Sequence, residues 1–251
     1  IGTTINNNFK ISADALEKEI TSKTRMIILN SPSNPSGVNY NKNELTALSE
    51  VLLKYPDTLI VTDDIYEHIF WGSEKFVNII NVCAELYDRT IVVNGVSKAY
   101  SMTGWRIGYA AGPEKIIKEM KKIQSQSTSN PNSIAQAAAT AALEGKQDFI
   151  RGCVNTFKER HDFLINELKE IGNINVLASE GTFYSFPDMN KLIEKFGKIS
   201  NDIELAEFFL DKAEVAMVPG SAFGVPGCMR ISFATSMENL RESIKRIKKV
   251  L

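Results

Sequence analysis

The chain reads as an α/β protein: a mostly parallel sheet flanked by helices, followed by a smaller C-terminal α+β domain. Three observations predict this. Short apolar runs at 25–29, 59–62 and 90–94 each end in polar, loop-like residues, as buried parallel strands do. Segments with helical apolar spacing separate them, so strand and helix alternate. After Gly112 the pattern gives way to long helices and then to shorter mixed units.

Residues 12–20 are expected to form a helix with Ser12 as N-cap and Asp14 in its first turn. The strand at 25–29 runs into NSPSNPSG (30–37), a turn-rich stretch. Leu45, Leu48, Val51 and Leu52 mark one face of a helix over 43–55. The strand 59–62 leads into Asp63, helical residues follow near Val82, and the strand at 90–94 enters a lysine-bearing loop before another strand at 107–111. Residues 113–125 form a basic amphipathic helix. Residues 133–144 form an Ala-rich helix expected to pack tightly, and 149–170 a helix long enough to bridge two domains. Strands at 175–177 and 183–186, helices at 191–196 and 203–212, strands at 215–218 and 229–233, and a closing helix at 237–250 complete the chain. The expected division is 1–150 and 151–251.

Bulk properties narrow the function. Lys+Arg 29 against Asp+Glu 30 leaves a formal charge of -1, which points away from nucleic acid and acidic surfaces. No apolar run approaches membrane-spanning length. Cys83, Cys153 and Cys228 are odd in number and far apart, without metal-ligand spacing, so a reducing, cytoplasmic setting is expected. His68 and His161 stand alone, and no metal site is expected. Gly104, Gly108 and Gly112, evenly spaced by four, make no dinucleotide fingerprint. Lys118, Lys121 and Lys122 read as a solvated helix face. The chain opens at Ile1 in an extended stretch with no signal peptide visible, and is expected to be a piece of a longer protein.

The chemistry concentrates at strand ends, where ligands of open α/β sheets gather. Ser97 and Lys98 follow the strand at 90–94, and Arg106 lies eight residues beyond the lysine, within NGVSKAYSMTGWRIGY (94–109). Lysine forms Schiff bases, and pyridoxal phosphate offers both an aldehyde and a dianionic phosphate that a guanidinium suits. Asp63 and Tyr66 follow the strand 59–62, and Asn34 sits in the Pro-flanked loop. Spacing alone does not choose between Asp63 and Asp64.

NPSG (34–37), DDIY (63–66), Ser97-Lys98 through Arg106, GTFY (181–184), VPGSAF (218–223) and MRISFA (229–234), in that order, resemble the class I aminotransferases of pyridoxal phosphate fold type I. The resemblance runs from near Phe9 to the C-terminus, and MTGWRIGY (102–109) matches the branch handling aspartate and aromatic amino acids. It implies that Lys98 is the Schiff-base lysine and, once freed, the proton carrier. It implies that Asp63, three residues before Tyr66, pairs with the pyridine nitrogen, while Asp64 takes a place usually held by Glu. Tyr66 and Asn34 would reach the cofactor's phenolic oxygen, Arg106 would clamp its phosphate, and Arg230 would grip the substrate α-carboxylate, with Asn34 beside it. One departure concerns the phosphate: where many members have Ser, three before the lysine, this chain has Gly95, which leaves Ser97 as the neighbouring candidate. Further implications are pyridoxal 5'-phosphate as cofactor, amino acid and 2-oxo acid substrates, a homodimer, and an N-terminal third that this chain lacks. The same residues would serve a lyase or synthase on this fold. A non-catalytic effector domain or an inactive fragment also stays open.

Overall fold

The computed structural model describes residues 1–251, which pack as two compact units. The first comprises Ile1, 12–32 and 40–153, and the second 2–11, 33–39 and 154–251. The second unit therefore collects two N-terminal segments that a single cut at residue 150 leaves in the first. The reason is packing: Phe9 and Val38 are buried in one cluster with Phe186 and Cys228.

The first unit is built on α1 (Ala13–Glu19), β1 (Met26–Asn30), α2 (Lys42–Leu53), β2 (Leu59–Asp63), α3 (Ile79–Val82), β3 (Thr90–Gly95), β4 (Gly108–Ala111), α4 (Glu114–Ser127) and α5 (Ser133–Glu144). Ser12 caps α1 by accepting from Ala15 N–H, and Asn41 and Glu44 form a capping box on α2. The far end of α2 is closed from a distance: the half-buried Arg89 donates to Leu52 O, Tyr55 O and Thr58 O at 2.6–2.9 Å, satisfying carbonyls the helix leaves over. Leu45, Leu48, Val51 and Leu52 are buried, as the spacing predicts, alongside Ile60, Ile79 and Leu86.

The sheet order is β1-β2-β3-β4, with β1, β2 and β3 parallel and β4 antiparallel to β3. Asn30 pairs with Asp63 and Asp63 with Val93, so the carboxyl ends of the three parallel strands lie side by side. One expectation of packing needs correction. The Ala-rich α5 buries only Ala135 and Ala139 while Ile134 is 71% exposed, so it is not tightly packed along its length. Helix α4 is amphipathic as its spacing predicts but buries no residue fully: Ile116 and Ile117 are half-buried, and Met120 and Ile123 are exposed. Propensity and amphipathic spacing set the helices but not what covers them.

The second unit is held by α6 (Asp148–Ile171), α7 (Asn190–Phe196), α8 (Asp202–Phe208) and α9 (Met237–Val250), with the antiparallel sheet β5-β7-β6: β5 (Tyr184–Ser185), β6 (Val218–Pro219) and β7 (Met229–Ser232). The unit boundary falls inside α6. Leu164, Ile165 and Leu168 of α6, Leu205 of α8, and Leu240, Ile244 and Ile247 of α9 are buried with Phe209, Met229 and Phe233. The strands are shorter than predicted: 175–177 is reduced to a bridge between Asn175 and Asp188, and 215–218 to two residues. The helix expected over 203–212 ends at Phe208 and continues as a π turn, Phe209–Ala213. No helix is long and apolar enough to cross a membrane.

Candidate active site

In the first unit the site residues hang from adjacent strand ends. Asn30 Nδ2 donates to Asp63 O (3.0 Å) and Asp64 N–H to Val93 O (2.9 Å), which pins the end of β2 between its neighbours. The two aspartates then part company. Asp64 is 1% exposed and turned inward, accepting from Thr62 Oγ1 (2.5 Å) and from Asn78 Nδ2 (2.7 Å), the N-cap of α3. Asp63 is half-buried and accepts from Ile65 N–H (3.2 Å). Burial raises the Asp63 pKa, and the single amide donor only partly opposes it. Asp64 is raised too, by burial first, against the donors Thr62 and Asn78. Strand alternation thus separates two residues that spacing alone could not.

Tyr66 is buried on the turn after Asp63, and Lys98 Nζ lies 5.8 Å from its ring centre. Lys98 sits three residues past the end of β3, half-buried, in a turn tied by Ser101 N–H to Lys98 O (3.1 Å) and Met102 N–H to Val96 O (3.3 Å). Ser97 O accepts from Thr103 Oγ1 (2.9 Å), which folds the loop toward Arg106. Arg106 adopts a left-handed conformation (φ 57°); its Nη1 donates to Thr103 O (3.0 Å) and its side chain reaches solvent. The departure at Gly95 has a steric basis. A Cβ there would meet Ile107 O at 2.9 Å and Gly108 Cα at 3.1 Å, because β3 and β4 pair Gly95 with Gly108. The tight β3–β4 pairing leaves no space for a serine.

In the second unit Asn34 and Arg230, 196 residues apart in sequence, meet: Arg230 Nη1 donates to Asn34 Oδ1 (3.0 Å). That bond leaves donation to the amide N–H₂ of Asn34. The loop carrying Asn34 is knotted by Gly37 N–H to Ser33 O (2.7 Å) and Ser33 N–H to Val38 O (2.9 Å), and Gly37 O accepts from Gly181 N–H (3.1 Å). Gly37 has φ +71°, and a Cβ would meet Ser179 Cβ at 2.6 Å, so only glycine fits this contact. Ser179 N–H in turn donates to Nε2 of the buried His161 (3.0 Å), whose Nδ1 lies 2.9 Å from Asp162 Oδ1. Burial pulls the His161 pKa below 6.5, outweighing the Asp162 carboxylate.

The Arg230 guanidinium lies near two rings, 4.5 Å from the centre of Tyr184 and 4.9 Å from that of Phe223. Phe223 stands on a loop whose Ser221 donates both N–H (2.7 Å) and Oγ–H (2.8 Å) to the buried Asp202. Burial works against the charge on Asp202, but the bonds from Ser221 hold its pKa below the ordinary value. Reading by motif had picked out GTFY and VPGSAF without assigning Tyr184 or Phe223 a task. Nothing local in the sequence marked Asp202.

The structure therefore brings Asp63, Tyr66, Ser97, Lys98 and Arg106 to one end of the four-stranded sheet, and Asn34 and Arg230 together in the other unit. A family model for aminotransferase class I and II matches residues 3–247. The aspartate/prephenate aminotransferase of Nitrosomonas europaea is 57% identical over 256 aligned positions, which take in 100% of this chain and 64% of that protein. The crystal structure of an aspartate aminotransferase from Rhizobium meliloti superposes with a TM-score of 0.95 at 44% identity, covering 99% of this chain and 63% of that one. An aromatic aminotransferase from Pyrococcus horikoshii OT3 gives a TM-score of 0.91 at 34% identity, covering 99% and 65%. The chain thus spans less than two thirds of the length of these relatives.

Proposed function

We propose that this chain, which belongs to the class I and II aminotransferase family, serves amino-group transfer between an amino acid and a 2-oxo acid with pyridoxal 5'-phosphate. The observation that carries the reading is the donor set at the sheet end: an amine, a half-buried carboxylate with one amide donor, a buried phenol and an exposed guanidinium. That set fits the cofactor. The raised pKa of Asp63 reflects a carboxylate short of partners, which a protonated ring nitrogen would supply. When bound, the cofactor supplies an aldehyde for the lysine and an electron-withdrawing ring for the reaction.

The remaining work falls to this chain's own side chains. Lys98 Nζ would hold the cofactor through its aldehyde and, as a free amine, would serve as general base for the substrate Cα proton. Asp63 keeps its charge beside the ring nitrogen and so keeps a proton there. By the family pattern the Tyr66 hydroxyl and the Asn34 amide would donate to the cofactor's phenolic oxygen and lower its basicity. Arg106, with five N–H donors, answers the phosphate. Arg230, held near two rings, would offer its N–H donors to the substrate carboxylate. For substrates, the likeness to an aspartate/prephenate aminotransferase supports aspartate as donor and prephenate as acceptor. The same reading takes the protein as a cytoplasmic homodimer, supported by the family resemblance.

The test is transamination by the protein carrying this chain, with aspartate as donor. Lys98→Ala should lower turnover by roughly 10³-fold or more. Retained turnover in that variant would refute the assignment.

A further inference from the structure

We propose that Asp202 is a positioning residue for substrate carboxylate binding: it latches the 220–227 loop to the start of α8 and so holds the Phe223 ring against Arg230. The inference rests on the reading of Arg230 as the carboxylate-binding group. Asp202 is 1% exposed, an unusual place for a carboxylate without a cation beside it. It is satisfied from the loop: Ser221 gives it both a backbone N–H (2.7 Å) and a hydroxyl (2.8 Å). One residue of the loop thus binds the carboxylate through two donors.

Phe223 stands in the same turn as Ser221, packs edge-on to Phe186 (5.9 Å between ring centres) and lies 4.9 Å from the Arg230 guanidinium. The guanidinium also meets the Tyr184 ring (4.5 Å to its centre), and Asn34 takes one of its N–H groups. Arginine is long and rich in rotamers, so an unbraced one loses freedom when a carboxylate binds. Bracing it beforehand moves that loss into folding and strengthens binding without any new contact to the ligand. Asp202 touches neither substrate nor cofactor in this account. It acts on Arg230 through Ser221 and Phe223.

The experiment titrates the pyridoxal phosphate-loaded protein that carries this chain with maleate, a plain dicarboxylate. Asp202→Asn, Phe223→Leu and Arg230→Lys are compared with the parent. Asp202→Asn keeps the volume but loses an acceptor, and Phe223→Leu keeps an apolar side chain but removes the ring. Each should weaken maleate on the order of tenfold and raise KM for the amino acid and the 2-oxo acid by the same factor. The value of kcat should change less than KM, and borohydride labelling of Lys98 should stay at the parent level. A merely structural role would instead lower labelling, kcat and affinity together, and that result overturns the proposal. Phe223→Leu leaves the start of α8 intact and decides the matter if Asp202→Asn fails to fold. Maleate binding unchanged in both variants but weakened in Arg230→Lys would overturn the latch and leave Arg230 in its role. Unchanged binding in Arg230→Lys would overturn the carboxylate reading and the latch with it.

Discussion

The two units prepare their functional residues in opposite ways. At the end of the four-stranded sheet, Asp63, Lys98 and Arg106 are held mainly through their backbones, by strand register and loop hydrogen bonds. The Asp63 carboxylate accepts from one amide, and Arg106 Nη1 donates to one carbonyl. In the second unit Arg230 is held through its side chain, by Asn34, Tyr184 and Phe223. On the proposed reading, the residues that hold the cofactor are placed chiefly through their backbones, whereas the one that recognises the substrate carboxylate is braced in advance at its side chain. Reactivity and recognition ask different things of a fold.

The adjacent aspartates offer the sharpest way to break that contrast, because they differ in commitment but not in chemistry. Asp63→Asn should lower kcat by about 10²–10³-fold, since an amide cannot hold charge beside a ring nitrogen, while Lys98 labelling persists. Asp64→Asn should leave kcat far closer to the parent and instead reduce stability by about 1–2 kcal/mol, read by urea unfolding. One of its two donors, Thr62 or Asn78, would lose its acceptor. Equal losses of kcat in both variants would erase the distinction.

A smaller effect sharpens the same contrast in the second unit. His161 supports the Asn34 loop as a neutral acceptor for Ser179 N–H. Its folded pKa lies below the unfolded value of 6.5, so the unfolded chain binds the proton more readily. Its contribution to stability is complete above pH 6.5 and falls away as the pH drops below it, by up to about 1.4 kcal/mol per pH unit. Urea unfolding at pH 7.5 and 5.5 should show this loss, and His161→Asn should flatten it. A loss of the same size in His161→Asn would place the acid sensitivity elsewhere.

Much of this was legible in the residues. Leu45, Leu48, Val51 and Leu52 gave α2 and its buried face, and the apolar runs gave β1, β2 and β3 in a parallel sheet. Strand ends also gave the places of Asp63, Tyr66 and Lys98. What could not be read depends on contacts made over long sequence distances. The Asn34–Arg230 bond spans 196 residues, and Asp202 meets Ser221 across the second unit's core. The choice of Asp63 over Asp64 needed the family pattern, because only packing turns Asp64 toward Thr62 and Asn78. The open faces of α4 and α5 show the converse: spacing forms a helix, and only tertiary contact buries it.

The most direct test of the central claim is made on the protein that carries this chain. Pyridoxal phosphate is added, the visible absorption is recorded, the sample is reduced with borohydride, and the labelled peptide is mapped. The account predicts a single label on Lys98, lost in Lys98→Ala and kept in Asp63→Asn. No band, or label spread over the exposed lysines of α4 and α9, would contradict it.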